Sequence, residues 1–573
     1  MGSKFSVFPG QYENQLNEGM QRYKNENVLG RILSHDYTVW SNSPEEITNR
    51  LGWLKSPENS LLQAADILEF VSSVKKDGIK NVLLLGMGGS SLAPEVFSLI
   101  YGGSGLNLSI LDSTDPGAVL EAASKYNPAE TLYIVSTKSG GTVETLSFLK
   151  YFYNLVVTKL GADKVKVNLA AITDPGSGLE KMTRELGFRK IFLNDPNIGG
   201  RFSALSLFGI VPAALTGADI EKLLNRASEF TQTFTPSEKY SLEDDSSSIL
   251  GLLMGELAGL GVDKVTFLTS PGISSFGWWV EQLVAESTGK RGHGILPVEG
   301  EKWMGADNYG FDRLFVNIRL ADDHSFEEKV GDLKKAGFPV VEIVWDDVYE
   351  LGAEFLRWEV ATAVAGWRLG IQPFDQPNVE QAKVIAREFL KKYTEEGVNP
   401  ALNTSLSEDG ISILGDEKHT SLKEALSGLF SKVHEGKAGK SLRSYLCLQP
   451  FIKPADDTSE ALKELRDLIG EKYKIAVTCA YGPRFLHSTG QLHKGDAGNG
   501  LFIQFTGSMP EDTPIPDEPG SDKSAMSFGV LKNAQTLGDR MALLDNKRTV
   551  LTFDLGISHA ASIRKITSII KSL

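Results

Sequence analysis

Two segments of this chain share one design: an apolar strand, a turn of glycines and hydroxyls, and the start of a helix. The first is Asn81-Val-Leu-Leu-Leu-Gly-Met-Gly-Gly-Ser-Ser-Leu-Ala93 and the second is Thr131-Leu-Tyr-Ile-Val-Ser-Thr-Lys-Ser-Gly-Gly-Thr-Val-Glu-Thr145. A strand that turns directly into a helix, twice in succession, predicts a parallel sheet with crossover helices. Leu92, Val96, Leu99 and Ile100 follow the first turn at helical spacing, and Phe148, Leu149, Phe152, Leu155 and Val156 follow the second. Backbone N–H groups at a helix start, with Ser and Thr hydroxyls beside them, form a ready site for a phosphate. Two such turns in one sheet point to a phosphorylated small molecule held between them.

The β–α alternation extends on both sides. Strands are expected at 82–85, 108–111, 133–135, 169–172 and 190–193, then again at 264–269, 314–318 and 340–345. The expected fold is α/β: two doubly wound parallel sheets with a helical N-terminal extension and a mixed C-terminal one. The expected division is 1–75 as an N-terminal helical segment, 76–235 and 236–400 as the two sheet domains, and 401–573 as an elaboration completing the second domain and the site. Residues 404–440 read as polar and loop-rich, the next strands fall at 475–478, 501–505 and 550–553, and 510–520 reads as an acidic, proline-rich surface loop.

A formal net charge of −14 over 573 residues argues against nucleic acid or an anionic membrane as partner. An acidic protein that binds an anion must gather positive charge locally. No apolar run reaches the roughly 18 residues of a membrane span, and the N-terminus lacks an apolar signal core, so a cytoplasmic location is expected. Cys447 and Cys479 are too few for a disulfide framework, and Cys479, in an apolar run, reads as a small buried hydrophobe.

The chemistry the turns permit narrows further. The first turn fails as a dinucleotide fingerprint, since Ser91 stands at the third glycine position, and Gly-Lys-Ser/Thr of a P-loop is absent. In the second turn Thr137, Lys138, Ser139 and Thr142 supply three hydroxyls and an ammonium, more than packing requires. Gln282 and Glu286 are four apart and share a helix face, and Gly289 reads as the stop that leaves Glu286 in the last turn. There the helix dipole disfavours a carboxylate, the direction a general base near neutral pH needs; a solvated glutamate is the plainer reading. Lys383 falls in the stripe Val379, Ala382, Ala386, Phe389 and Leu390, a costly place for an ammonium unless it meets an anion or snorkels to solvent. His487 lies in a glycine-bounded loop and Arg201 just before an apolar helix, positions open to ligand contact and to plain structural use alike.

Taken in order, Gly86-Met-Gly-Gly-Ser90, Ser136-Thr-Lys-Ser-Gly-Gly-Thr-Val-Glu-Thr145, Gly199-Gly-Arg-Phe-Ser203, Glu286-Ser-Thr-Gly-Lys290 and Phe374-Asp-Gln…Lys383 resemble the glucose-6-phosphate isomerase family over roughly residues 75–395. The resemblance implies two sugar-isomerase, flavodoxin-like domains and interconversion of glucose 6-phosphate and fructose 6-phosphate through a cis-enediol(ate), with no metal and no cofactor, in a homodimer. It implies Thr137, Ser139 and Thr142 as a phosphate clamp with Lys138 alongside, and Gly89 and Ser90 as first-turn substrate contacts. Glu286 then resembles the general base, Arg201 the cation facing the enediolate, and Gln282 and Gln376 the orienting amides. His487 and Lys383 resemble the ring-opening pair. The departure is chain order: in the commoner enzymes the histidine precedes the lysine helix, whereas His487 follows it, and the C-terminal region resembles the isomerase part of transaldolase/isomerase fusion proteins. A non-catalytic sugar-phosphate sensor or an isomerase of another sugar phosphate, such as mannose 6-phosphate, fits the same turns.

Overall fold

The structure is a computed structural model that describes residues 3–235, 240–399, 401–437, 439, 441–509 and 511–573. The first sheet runs in the order Asn107–Leu111, Asn81–Gly86, Thr131–Ser136, Leu169–Thr173, Lys190–Leu193, all parallel. Numbered along the chain this is 2-1-3-4-5, so the strand order reverses between Asn81–Gly86 and Thr131–Ser136. In open α/β sheets ligands bind beyond the carboxyl ends of the strands at that reversal. Gly86 pairs with Ser136 at the last rung, so both glycine turns leave the sheet side by side at the expected place.

A second five-stranded sheet holds Val340–Trp345, Arg313–Leu320, Lys264–Thr269 and Leu296–Val298 in parallel. Its edge is closed by Lys4–Phe8, antiparallel to Val340–Trp345. The N-terminal segment, expected as helical, therefore opens with a strand. Its side chains alternate between half-buried and exposed, the period-2 pattern of an edge strand. The helices Ser246–Gly259 and Leu351–Leu369 are almost wholly buried beside this sheet. They pack closely because Gly251 and Gly255 leave no side chain between them: a Cβ on Gly251 would lie 2.4 Å from the Ala361 carbonyl oxygen.

Residues from 404 onward build a third sheet of six strands, Thr404–Glu408, Ile411–Leu414, Thr549–Asp554, Gly500–Thr506, Tyr445–Pro450 and Ala476–Cys479. It has an apolar core of its own, with Leu446, Leu448, Ile503, Phe553 and Ile563 all fully buried. The segment read as loop-rich thus opens with a hairpin. Asp409 and Gly410, both at positive φ, make the tight Asp-Gly turn such hairpins favour. The third unit also packs on the first: Phe528, Leu531 and Ile515 join the core on one face of the first sheet. The acidic loop clasps the helix Val143–Leu160, where Lys150 donates to the Asp517 carbonyl and Asn154 to that of Ser521; Pro510, which opens that loop, lies outside the described residues. Cys447 is buried and Cys479 half-buried, both as free thiols.

Candidate active site

The cleft is built first from turns that only glycine fits. Gly88 has φ +55, and a Cβ there would lie 2.9 Å from the His487 carbonyl oxygen. A Cβ on Gly89 would lie 1.9 Å from the carbonyl oxygen of Gly200, so the first turn and the segment 199–201 meet backbone to backbone. Ser90 closes the 3-10 turn ahead of the helix Leu92–Tyr101.

In the second turn Thr142 precedes the helix Val143–Leu160 without capping it, so the orphan N–H groups of the first helical turn have no cap side chain. Its hydroxyl instead lies 3.1 Å from that of Thr137, and Ser139 Oγ accepts from the Gly141 N–H at 3.2 Å. Lys138 is engaged rather than free: its ammonium pairs with Asp174 and donates to the Pro196 carbonyl at 2.8 Å. Ser136 and Thr145 were not singled out from sequence. Both hydroxyls are buried without a hydrogen-bond partner among the described residues and both residues line the cleft, as expected of donors placed to meet an oxyanion.

From the second unit comes the helix Phe276–Thr288. Glu286 is in its last turn, as the sequence predicts, and one carboxylate oxygen lies 3.0 Å from Arg201. The other accepts from Gln282 Nε2 at 3.1 Å. Arg201, only 3% exposed, spends its remaining donors on Ser287 Oγ (2.8 Å), Gln376 Oε1 (3.0 Å) and the carbonyls of Pro373 and Asp375. One guanidinium thus joins the helix of Glu286 to the segment that carries Gln376. Lys290 ties the same segment from below, 2.7 Å from the Asp375 carboxylate. Burial and the neighbouring Arg201 bring its pKa down to about 8.

His487 comes from the third unit, on the turn Arg484–His487. Its Nε2 lies 2.9 Å from Glu144 Oε1, and its carbonyl accepts from Gln282 at 2.7 Å, so it reaches the cleft of its own chain. Glu144 is the functional residue that sequence reasoning quoted within a motif and gave no role. Burial alone would push its carboxyl up, yet the His487 ring holds it below the usual carboxylate range. Gln535 donates to the same oxygen at 2.6 Å and accepts from Thr114 at 2.8 Å. Lys383 lines the cleft from its place in the apolar stripe, and its ammonium, half-exposed, pairs with Glu380 one turn away at 2.9 Å.

All twelve residues singled out from sequence line one cleft of about 520 Å³, within the size range of small-molecule sites. A second chamber of about 580 Å³ adjoins it and shares Ser139, Thr142, Lys383 and His487. Among the described residues no group of three or more His, Cys, Asp or Glu side chains is placed to hold a metal ion.

Parallel sheets facing a cleft of glycine–hydroxyl turns place the chain in the α/β class. Residues 59–293 match the family model described as Phosphoglucose isomerase. It is 29% identical over 392 residues to the glucose-6-phosphate isomerase of Mycoplasmopsis pulmonis, covering 60% of this chain and 90% of the relative. A Thermus thermophilus enzyme of the same name is 28% identical over 385 residues, 59% of this chain and 90% of its own. Among solved structures, a hypothetical protein of Thermus thermophilus superposes with a TM-score of 0.57 at 25% identity, over 68% of this chain and 100% of that one. A glucose-6-phosphate isomerase of Chlamydia trachomatis gives 0.56 at 17% identity, over 69% and 89%, a likeness of fold. The matched family region holds both turns, Arg201 and Glu286; Lys383 and His487 lie beyond it.

Proposed function

We propose that this cleft interconverts glucose 6-phosphate and fructose 6-phosphate, with Glu286 carrying the proton between C2 and C1. The relatives named glucose-6-phosphate isomerase support the reaction, and the observation that carries the assignment is the base helix. Glu286, paired with Arg201 and Gln282, faces the same cleft as the hydroxyls of Thr137, Ser139 and Thr142. A phosphate anchored at the turns, with contacts from Gly89 and Ser90, leaves the sugar carbons toward that carboxylate. Arg201 supplies fixed positive charge for the enediolate oxygen, an electrostatic role that is strong because the group is buried and already oriented. Gln282 and Gln376 hold the hydroxyls, Lys138 adds positive charge at the rim, and His487 with Lys383 opens the ring. Glu144 orients the imidazole.

The test is Glu286→Gln. It retains sugar-phosphate binding, while isomerisation in a coupled assay falls on the order of 10²–10⁴-fold, the usual span for a lost acid–base group. Parental turnover in that variant would remove Glu286 from the mechanism, and no solvent-deuterium exchange at C2 by the parent protein would leave a sensor. A homodimer, a cytoplasmic location and the absence of nucleic-acid or membrane partners belong to the same reading. The net charge of −14 supports it, and no helix among the described residues is long and apolar enough to cross a membrane. Light scattering on the purified chain checks the dimer.

A further inference from the structure

We infer that Arg484 is the positioning residue that fixes His487 for ring opening, an inference that rests on the isomerase reading of the cleft. Arg484 and His487 are the two ends of one four-residue 3-10 turn. The His487 end is held from the cleft side, by Gln282 on its carbonyl, by Glu144 on its ring and by the bare backbone of Gly88. The Arg484 end is held from behind. Its guanidinium donates to Glu95, on the helix Leu92–Tyr101, and lies 3.2 Å from Asp112, just past the strand Asn107–Leu111. The Trp278 ring is 5.9 Å away.

Glu95 and Asp112 belong to the first unit, which also carries Glu144. A turn from the third unit is therefore clamped at both ends onto the unit that holds its catalytic partner. Arg484 itself faces a separate pocket of about 340 Å³, with Trp278, Glu281 and Tyr481, so it acts through the histidine and not on the sugar. The clamp is electrostatic. Burial opposes a charged guanidinium here, and Asp112 and Glu95 overcome it, raising the Arg484 pKa. A planar guanidinium holds two carboxylates in a fixed fork, whereas an ammonium is a rotatable point charge. Displacing a reacting group by about 1 Å costs on the order of 10²-fold in rate.

The experiment separates ring opening from proton transfer. Fructose 6-phosphate enters mostly as a closed ring, whereas 5-deoxyfructose 6-phosphate lacks the hydroxyl that closes it and stays open. Arg484→Met is expected to lower kcat on fructose 6-phosphate by about 10²-fold while C2–C1 proton exchange on the 5-deoxy sugar stays within a factor of about three. Arg484→Lys recovers part of the loss. Should Arg484→Met fail to fold, since it strands two carboxylates, the pair Arg484→Met with Glu95→Gln removes one negative charge along with the positive one and is read the same way. Equal losses on both sugars in a variant that melts like the parent, or no loss on either, overturn the assignment. Parent protein inactive on both sugars would instead defeat the isomerase reading beneath it.

Discussion

Glu359 is wholly buried in the helix Leu351–Leu369, and neither carboxylate oxygen has a hydrogen-bond partner among the described residues. Burial holds its pKa well above the ordinary 4.5. The folded protein therefore keeps a proton that the unfolded chain has released once the pH exceeds about 4.5. With more protons bound in the native state, stability falls as pH rises from there until the folded pKa is passed, by at most about 1.4 kcal/mol per pH unit. Glu359→Gln removes that slope. Its melting temperature is expected to gain on the parent progressively from pH 5 to pH 8, and thermal melts across that range check it. Single residues also divide by how they could be read. Glu286, Gln282 and Arg201 sit in motifs whose spacing displays them. Glu144 sits in a displayed motif too, but its meaning depends on His487, 343 positions away. No local periodicity reports a contact at that separation.

At the scale of elements the same rule holds. Strands buried in parallel sheets announce themselves as apolar runs, and every strand expected from 82–85 through 550–553 coincides with an observed one to within a residue or two at its ends. The strand Lys4–Phe8 and the hairpin at Asp409-Gly410 carried legible signals, alternation in one and an Asp-Gly turn in the other, but both are short and polar on one face. The meeting of the first turn with the segment 199–201 is an element-scale device with a sharp consequence. Gly89→Ala forces a methyl into the Gly200 carbonyl and must part the two segments. Overpacking of this kind costs about 1–3 kcal/mol, and the larger effect is on the site, because Arg201 leaves its place over Glu286. Expected are a modest loss in urea midpoint and a fall in kcat of about 10²-fold, read by denaturation and steady-state kinetics on one preparation.

For the molecule as a whole, the cleft draws residues from all three sheets: Thr137 and Glu144 from the first, Glu286 from the second, His487 from the third. A ligand there binds the native state and nothing else, so it stabilises all three units together. At a hundredfold excess over Kd, fructose 6-phosphate is expected to add about 2.7 kcal/mol and to raise the melting temperature in one cooperative step. Calorimetry that shows one unit shifting while another melts unchanged would contradict the shared cleft.

The pairing of Glu144 with His487 also bears on synthesis. A ribosome makes the glycine–hydroxyl turns, Arg201 and Glu286 long before it reaches the imidazole, and Gln535, which holds Glu144, follows later still. On the isomerase reading, a nascent chain at that stage is a vise without a key: the turns for the phosphate are made, and the segment that opens the closed form is still to come.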